Sequence, residues 1–319
     1  MKAIVYHRYG SPDVLKCEDT PKPTPTADEV LIRVRAAAIN PVDRLFRGTP
    51  YLIRFLTGLR KPKETRFGRD VAGQVEAVGR NVTRFKPGDA VFGSCRGACA
   101  EYACGAEAAL ALKPHNVTFE QAAAVPVAGY TALQGLRDKG RIQPGQKVVI
   151  NGAAGGVGTF AVQIAKSFGA DVTGICSTPK VDLVRSLGAD YVVDYTREDF
   201  TRGTQRYDLL FDCVGNRSLL AFRRVLQPKG ICVLVGAPHN VWLILARALA
   251  GTVLSRVVGQ TFVMFMAKLS KEDLIIIGGL MEAGKVKPVI DRSYPLAEVP
   301  DAMRYLEEGH ARGKIVITV

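Results

Sequence analysis

Three β-branched residues, Val148-Val149-Ile150, run straight into the glycine cluster Asn151-Gly152-Ala153-Ala154-Gly155-Gly156-Val157-Gly158, and a helical stretch follows from Thr159 through Lys166. A strand, turn and helix joined this way use their glycines for three purposes: a tight turn, close approach of backbone to a phosphate, and close packing of helix on strand. The helix start offers unpaired N–H groups and the positive end of a dipole. Ala153, Gly155, Gly156, Val157 and Gly158 are therefore expected to cradle the pyrophosphate of a dinucleotide. A second strand–helix unit, Asp171 to Cys176 and then Val181 to Leu187, distinguishes the motif from an ordinary glycine-rich loop.

The rest of the chain falls into two styles. Residues 1–122 are β-rich, with Val30 to Ala37 and Asp70 to Val78 alternating in polarity and Lys86-Pro87-Gly88-Asp89 marking a turn. From residue 123, short apolar runs alternate with helical stretches through Leu209 to Phe211 and Ile231 to Val235, which implies a parallel sheet with right-handed crossovers. Lys314 to Val319 returns to the first style. The expected organisation is a β-rich unit built from 1–122 with 290–319, and a doubly wound α/β Rossmann unit over 123–289.

An adenosine ribose in such a unit is usually held by an Asp or Glu about 20 residues after the glycines. Here the second strand ends Cys176-Ser177-Thr178-Pro179-Lys180, with hydroxyls and an ammonium in place of a carboxylate. That pattern favours a 2′-phosphate, hence NADPH over NADH. A capping hydroxyl and a solvated lysine are the plainer alternative.

Lys and Arg number 43 against 30 Asp and Glu, a net charge of +13. The cations are scattered except between Arg54 and Arg69, and no nucleic-acid-binding motif accompanies them, so nucleic acid is not an expected partner. Seven cysteines without metal-ligand or disulfide spacing point to a reducing, cytoplasmic setting, and Met1 to Tyr6 reads as a strand rather than a targeting segment. Val241 to Ala267 is the most apolar stretch, but Arg247, Gly251, Arg256 and Gly259 break it below the length of a membrane span. Two buried or site-lining helices are expected there, with contact to a membrane surface or a subunit partner as the alternative.

Gly145-Gln146 through Gly158, Gln163 and Lys166, together with Gly68-Arg69-Asp70-Val71-Ala72-Gly73, Phe85 to Val91, Leu187-Gly188-Ala189-Asp190 and Gly313-Lys314-Ile315-Val316, resemble the medium-chain dehydrogenase/reductase superfamily. The resemblance runs end to end and is to its zinc-free quinone oxidoreductase (zeta-crystallin-like) branch. It implies a GroES-like catalytic domain, an inserted Rossmann domain, substrate held between them, and a homodimer. Zinc-dependent relatives carry Cys in a Cys-x-Thr-Asp phrase and His in Gly-His-Glu; this chain has Asn40-Pro41-Val42-Asp43 and Gly68-Arg69-Asp70, and Val127 at a further ligand position. None of these supplies a thiolate or imidazole, and Cys95, Cys99 and Cys104 do not make a four-cysteine structural site. The resemblance further implies that Ser177, Lys180 and Tyr195 hold the 2′-phosphate and that Asn40, Thr131, Gly236 and Lys314 line the cofactor.

Without a metal Lewis acid, the substrates implied are quinones and α,β-unsaturated carbonyl compounds, in which conjugation spreads the charge that hydride addition creates. Tyr51 is the candidate proton donor. His239, after Val235-Gly236-Ala237-Pro238, reads as a loop histidine. The rival reading is a cofactor-binding scaffold, sensor or RNA-binding protein with little catalysis, since fold alone does not assign function.

Overall fold

Burial follows the two rhythms of the sequence in the computed structural model, which describes residues 1–47, 58, 60–236 and 241–319. In chain order the strands are β1 (Lys2–Val5), β2 (Lys16–Asp19), β3 (Glu29–Ile39), β4 (Asp70–Val78), β5 (Ala90–Ser94), β6 (Tyr102–Ala106), β7 (Leu110–Leu112), β8 (Lys147–Asn151), β9 (Asp171–Cys176), β10 (Tyr191–Asp194), β11 (Tyr207–Asp212), β12 (Leu226–Leu234), β13 (Thr261–Met264), β14 (Ile290–Pro295) and β15 (Lys314–Thr318). The helices are α1 (Pro41–Arg47), α2 (Phe119–Ala123), α3 (Pro126–Gln134), α4 (Gly156–Ser167), α5 (Val181–Ser186), α6 (Leu219–Val225), α7 (Val241–Val257), α8 (Lys271–Glu282) and α9 (Val299–Glu307). Backbone contacts divide the chain into Met1–Ala128 with Leu269–Gly284 and Pro288–Val319, and Gly129–Lys268 with Lys285–Lys287.

The first unit is a mixed sheet in the order β14-β15-β3-β4-β5-β7, with β6 also on β3. Strand β3 organises it: Arg33 and Arg35 face water while Ile32 and Val34 enter a core shared with Phe67, Val71, Leu110 and Ile315, the alternation of a half-buried strand. Strand β15 runs antiparallel to β3, with Val316 opposite Ala38, and parallel to β14. Helix α8 lies in the segment 123–289 but belongs to this unit: Gly278 faces Pro114, and Asn116 Nδ2 donates to the Met281 carbonyl at 3.1 Å.

The second unit is a six-stranded sheet in the order β10-β9-β8-β11-β12-β13, every neighbouring pair parallel. Its strand order is that of a dinucleotide-binding fold, with the switch point beside β8. Val148, Val149 and Ile150 are fully buried, as a strand covered by helices on both faces requires. The stretch Val241 to Ala267 differs from the expected pair of buried helices. It forms one helix, α7, and the edge strand β13. At Gly259 a Cβ would sit 2.5 Å from the Pro228 carbonyl oxygen, so only glycine lets the chain turn there, and Thr261-Phe262-Val263 then pairs with β12.

Candidate functional site

The turn after β8 is anchored by main-chain bonds: the Gly152 and Ala153 amides both donate to the Ile175 carbonyl, at 3.2 and 3.0 Å. Gly152 has φ +84°, a left-handed conformation that glycine adopts without strain. At Gly158 a Cβ would lie 2.0 Å from the Gly152 carbonyl oxygen, so this glycine lets α4 pack onto the turn. Gly155 is different, for a Cβ there meets only that same oxygen, at 3.4 Å. The space beside Gly155 is open. Gly155 is also the N-cap of α4 and contributes no side-chain bond, and no acid stands in the first turn. The amides of Gly156, Val157 and Gly158 therefore face outward at the positive end of a twelve-residue helix. Such a cradle fits a pyrophosphate.

Strand pairing assembles a second polar cluster beside it. The Tyr195 amide donates to the Cys176 carbonyl at 3.0 Å, which brings Tyr195 next to Ser177, and the Lys180 amide donates to the Ser177 carbonyl at 2.9 Å. The ring of Tyr195 is half exposed. One carboxylate does reach this corner, from β10 rather than β9: Asp194, opposite Cys176 in the sheet. It accepts from the hydroxyls of Thr178 and Thr196, and the Thr178 hydroxyl, foremost, holds it below the usual carboxylate range. The acid is thus committed to its neighbours.

Sequence reasoning missed the network beneath the turn. Asp212, fully buried at the end of β11, accepts on Oδ1 from Asn151 Nδ2 at 2.8 Å and from the amides of Val214 and Gly215 at 3.2 and 3.1 Å. Its Oδ2 pairs with Arg247 at 3.0 Å, and Arg247 also donates to the Arg217 carbonyl at 2.7 Å. Gly236 donates its amide to the Asp212 carbonyl at 2.8 Å and packs so tightly that a Cβ would stand 2.2 Å from the Val214 nitrogen. Thr131 is buried on α3.

Within the first unit, four polar side chains meet in the core. Asn40 Nδ2 donates to Asp70 Oδ2 at 2.9 Å, Lys314 donates to Asn40 Oδ1 and to the Ile39 carbonyl, and Lys314 lies 3.5 Å from Asp70. The Val127 amide donates to Asp70 Oδ1 at 3.2 Å, and the Asn40 amide to Asp43 Oδ2 at 2.7 Å. Burial raises Asp70 and lowers Lys314. The three positions compared with zinc ligands thus present an amide already committed to Asp70 and Lys314, the Arg69 guanidinium, and a valine main chain. Asp43 borders a cavity of about 340 Å³ lined also by Tyr6, Tyr9, Phe67, Arg69 and Arg96. Tyr51 and His239 lie outside the described residues.

The Asp43 carboxyl is pushed up to about 7, first by burial and next by the Asp70 carboxylate. An acid whose folded pKa is raised binds its proton more tightly in the folded chain, so its stabilising contribution is full below the unfolded value of 3.8 and is lost as pH rises through about 7. Asp43→Asn keeps an acceptor for the Asn40 amide and removes the ionisation. Relative to the parent, it is expected to gain about 2 kcal/mol more at about pH 8 than at about pH 5. Urea unfolding at both pH values checks this, and an equal difference at both rejects it.

Residues 26–178 match the family model of the alcohol dehydrogenase GroES-like domain, and residues 187–317 match that of a zinc-binding dehydrogenase. The chain is 39% identical to the 2-methylene-furan-3-one reductase of Solanum lycopersicum, over 99% of this chain and 79% of that protein. It is 36% identical to the chloroplastic NADPH-dependent alkenal/one oxidoreductase of Arabidopsis thaliana, with the same coverage. The fold superposes on the quinone oxidoreductase of Coxiella burnetii with a TM-score of 0.88 at 31% identity, covering 100% of this chain and 99% of that one.

Proposed function

This chain belongs to the quinone oxidoreductase branch of the medium-chain dehydrogenase/reductase superfamily, and on that premise we propose that it transfers hydride from NADPH to quinones or α,β-unsaturated carbonyl compounds. The observation that carries the reading is the open cradle at Gly155 with the outward amides of Gly156, Val157 and Gly158. NADPH, when bound, supplies the hydride. Those amides hold its pyrophosphate, while Ser177, Lys180 and Tyr195 take the 2′-phosphate. Asn40, Thr131, Gly236 and Lys314 are assigned to the cofactor's surroundings.

The reaction is proposed to be zinc-independent, because an amide, a guanidinium and a main-chain N–H do not make a zinc site. Conjugation in the acceptor does instead what a Lewis acid does for a simple carbonyl. Hydride addition leaves an enolate or hydroquinone anion that needs one proton, assigned to solvent or to Tyr51; unchanged single-turnover oxidation of NADPH in Tyr51→Phe would remove the tyrosine. Seven free thiols support a reducing compartment and a cytoplasmic location. The outer edge of β13, which has no strand partner among the described residues, supports a homodimer.

Oxidation of NADPH across a panel of quinones and enones, with NADH as the paired control, tests the reading. Turnover is expected with conjugated acceptors and not with simple ketones. Lys180→Glu is expected to lower kcat/KM for NADPH about tenfold or more while leaving NADH nearly unchanged, since a charge-assisted bond to phosphate contributes about 1.5–3 kcal/mol. Tight NADPH binding without turnover of any acceptor would favour the scaffold reading instead.

A further inference from the structure

Helix α7 is inverted relative to an ordinary surface helix, which turns its apolar stripe inward. Its inner face carries Arg247, paired with Asp212; Gly251, against Phe262; and Ser255, whose Oγ accepts from the Phe262 amide at 2.8 Å. Its outer face carries Trp242, Leu243, Leu245, Leu249 and Val253, between 51% and 67% exposed, and Val257 at 79%. Apolar side chains gathered on the surface in this way mark an interaction face rather than scattered surface residues.

The segment of chain that carries that face holds charge of one sign. From Cys213 to Lys271 the chain contains no Asp or Glu and eight Lys or Arg. Arg256 is exposed on the outer face itself. Exposed Lys229 follows Pro228, whose carbonyl abuts Gly259 just past the helix end. Arg223 and Arg224 are exposed on α6, whose Leu219 lies beside Gly251.

We propose that the outer face of α7 docks on an anionic lipid bilayer, the helix lying in the plane of the headgroups with Trp242, Leu249 and Val253 inserted and the surrounding cations on lipid phosphates. An apolar stripe flanked by exposed cations is what such an interfacial helix needs. Nucleic acid matches the charge but not the apolar stripe. A second copy of the chain matches the stripe but sets the same exposed Arg223, Arg224, Lys229 and Arg256 against their own copies. No helix among the described residues is long and apolar enough to cross a membrane, so the contact is peripheral.

Trp242 is the chain's single tryptophan, so its emission reports directly on this face. The full chain is mixed with phosphatidylcholine vesicles containing about one third phosphatidylglycerol, and separately with phosphatidylcholine alone. Flotation with the anionic vesicles, a blue shift of the emission, and loss of both at high salt are expected. Leu249→Asp with Val253→Asp, both at exposed positions, is expected to weaken partition at least about tenfold without altering NADPH oxidation. Arg256→Glu should weaken it about tenfold through charge alone. Equal association with both vesicle types, or none with either, overturns the proposal. So does a dimer that the double aspartate variant splits into monomers, which assigns the face to a second copy, or salt-sensitive binding of an RNA oligonucleotide in place of the vesicles.

Discussion

Arg247→Met is expected to lower the free energy of unfolding by about 3–5 kcal/mol, because it leaves the Asp212 carboxylate buried without its cation. Asp212 is fully buried and Arg247 nearly so. Three N–H donors remain on Oδ1, but Oδ2 keeps nothing of comparable strength. The partner variant separates a charge effect from lost packing. Asp212→Asn removes the charge and preserves the acceptor for Asn151, Val214 and Gly215, so Asp212→Asn with Arg247→Met should recover much of the loss. Urea unfolding of the single and double variants measures this. A double variant no more stable than Arg247→Met alone would show that the arginine acts through its packing on Phe222 rather than through charge.

Two glycines of the same turn are expected to fail for opposite reasons. In Gly158→Ala the new methyl meets the Gly152 carbonyl oxygen at 2.0 Å and the Ala153 main chain at 2.9 Å, and neither is a flexible side chain. Helix α4 must move off the turn, so both stability and NADPH affinity fall. In Gly155→Ala the methyl finds room, and thermal stability should stay within about 0.5 kcal/mol of the parent. It occupies the cradle, however. Losing two charge-assisted bonds to phosphate should raise the Kd for NADPH about a hundredfold or more. Calorimetric titration beside thermal unfolding distinguishes the two, and tight NADPH binding by a stable Gly155→Ala would place the pyrophosphate elsewhere.

Much of this was legible locally. Asp70–Val78 and Asp171–Cys176 read as strands to the residue, because alternation or an unbroken apolar run is bounded by turn residues. The glycine turn was legible because Gly152 and Gly158 record backbone constraints that no other residue satisfies. What escaped was whatever depends on distant parts of the chain. Arg247 meets Asp212 across 35 positions, and Lys314 meets Asn40 across 274, with no periodicity to announce either pair. Asp194 arrives beside Ser177 through sheet register, so a search for an acid after β9 alone overlooks it. Helix α7 misled for a related reason. Its apolar composition reads as burial, but an inward-facing ion pair turns the apolar side out.

The position of β15 also bears on how the molecule is made. A ribosome delivers Asp70 early and the whole second unit next, and only afterwards the strand that carries Lys314 between β3 and β14. Until then the nascent chain holds an acid destined for the core with no cation to meet it, and β3 has one edge unpaired over Ala36–Ile39. The inserted unit has all its strands by Met264 and can fold on its own schedule. The flanking unit cannot close until β15 arrives to cover Ala36–Ile39 of β3.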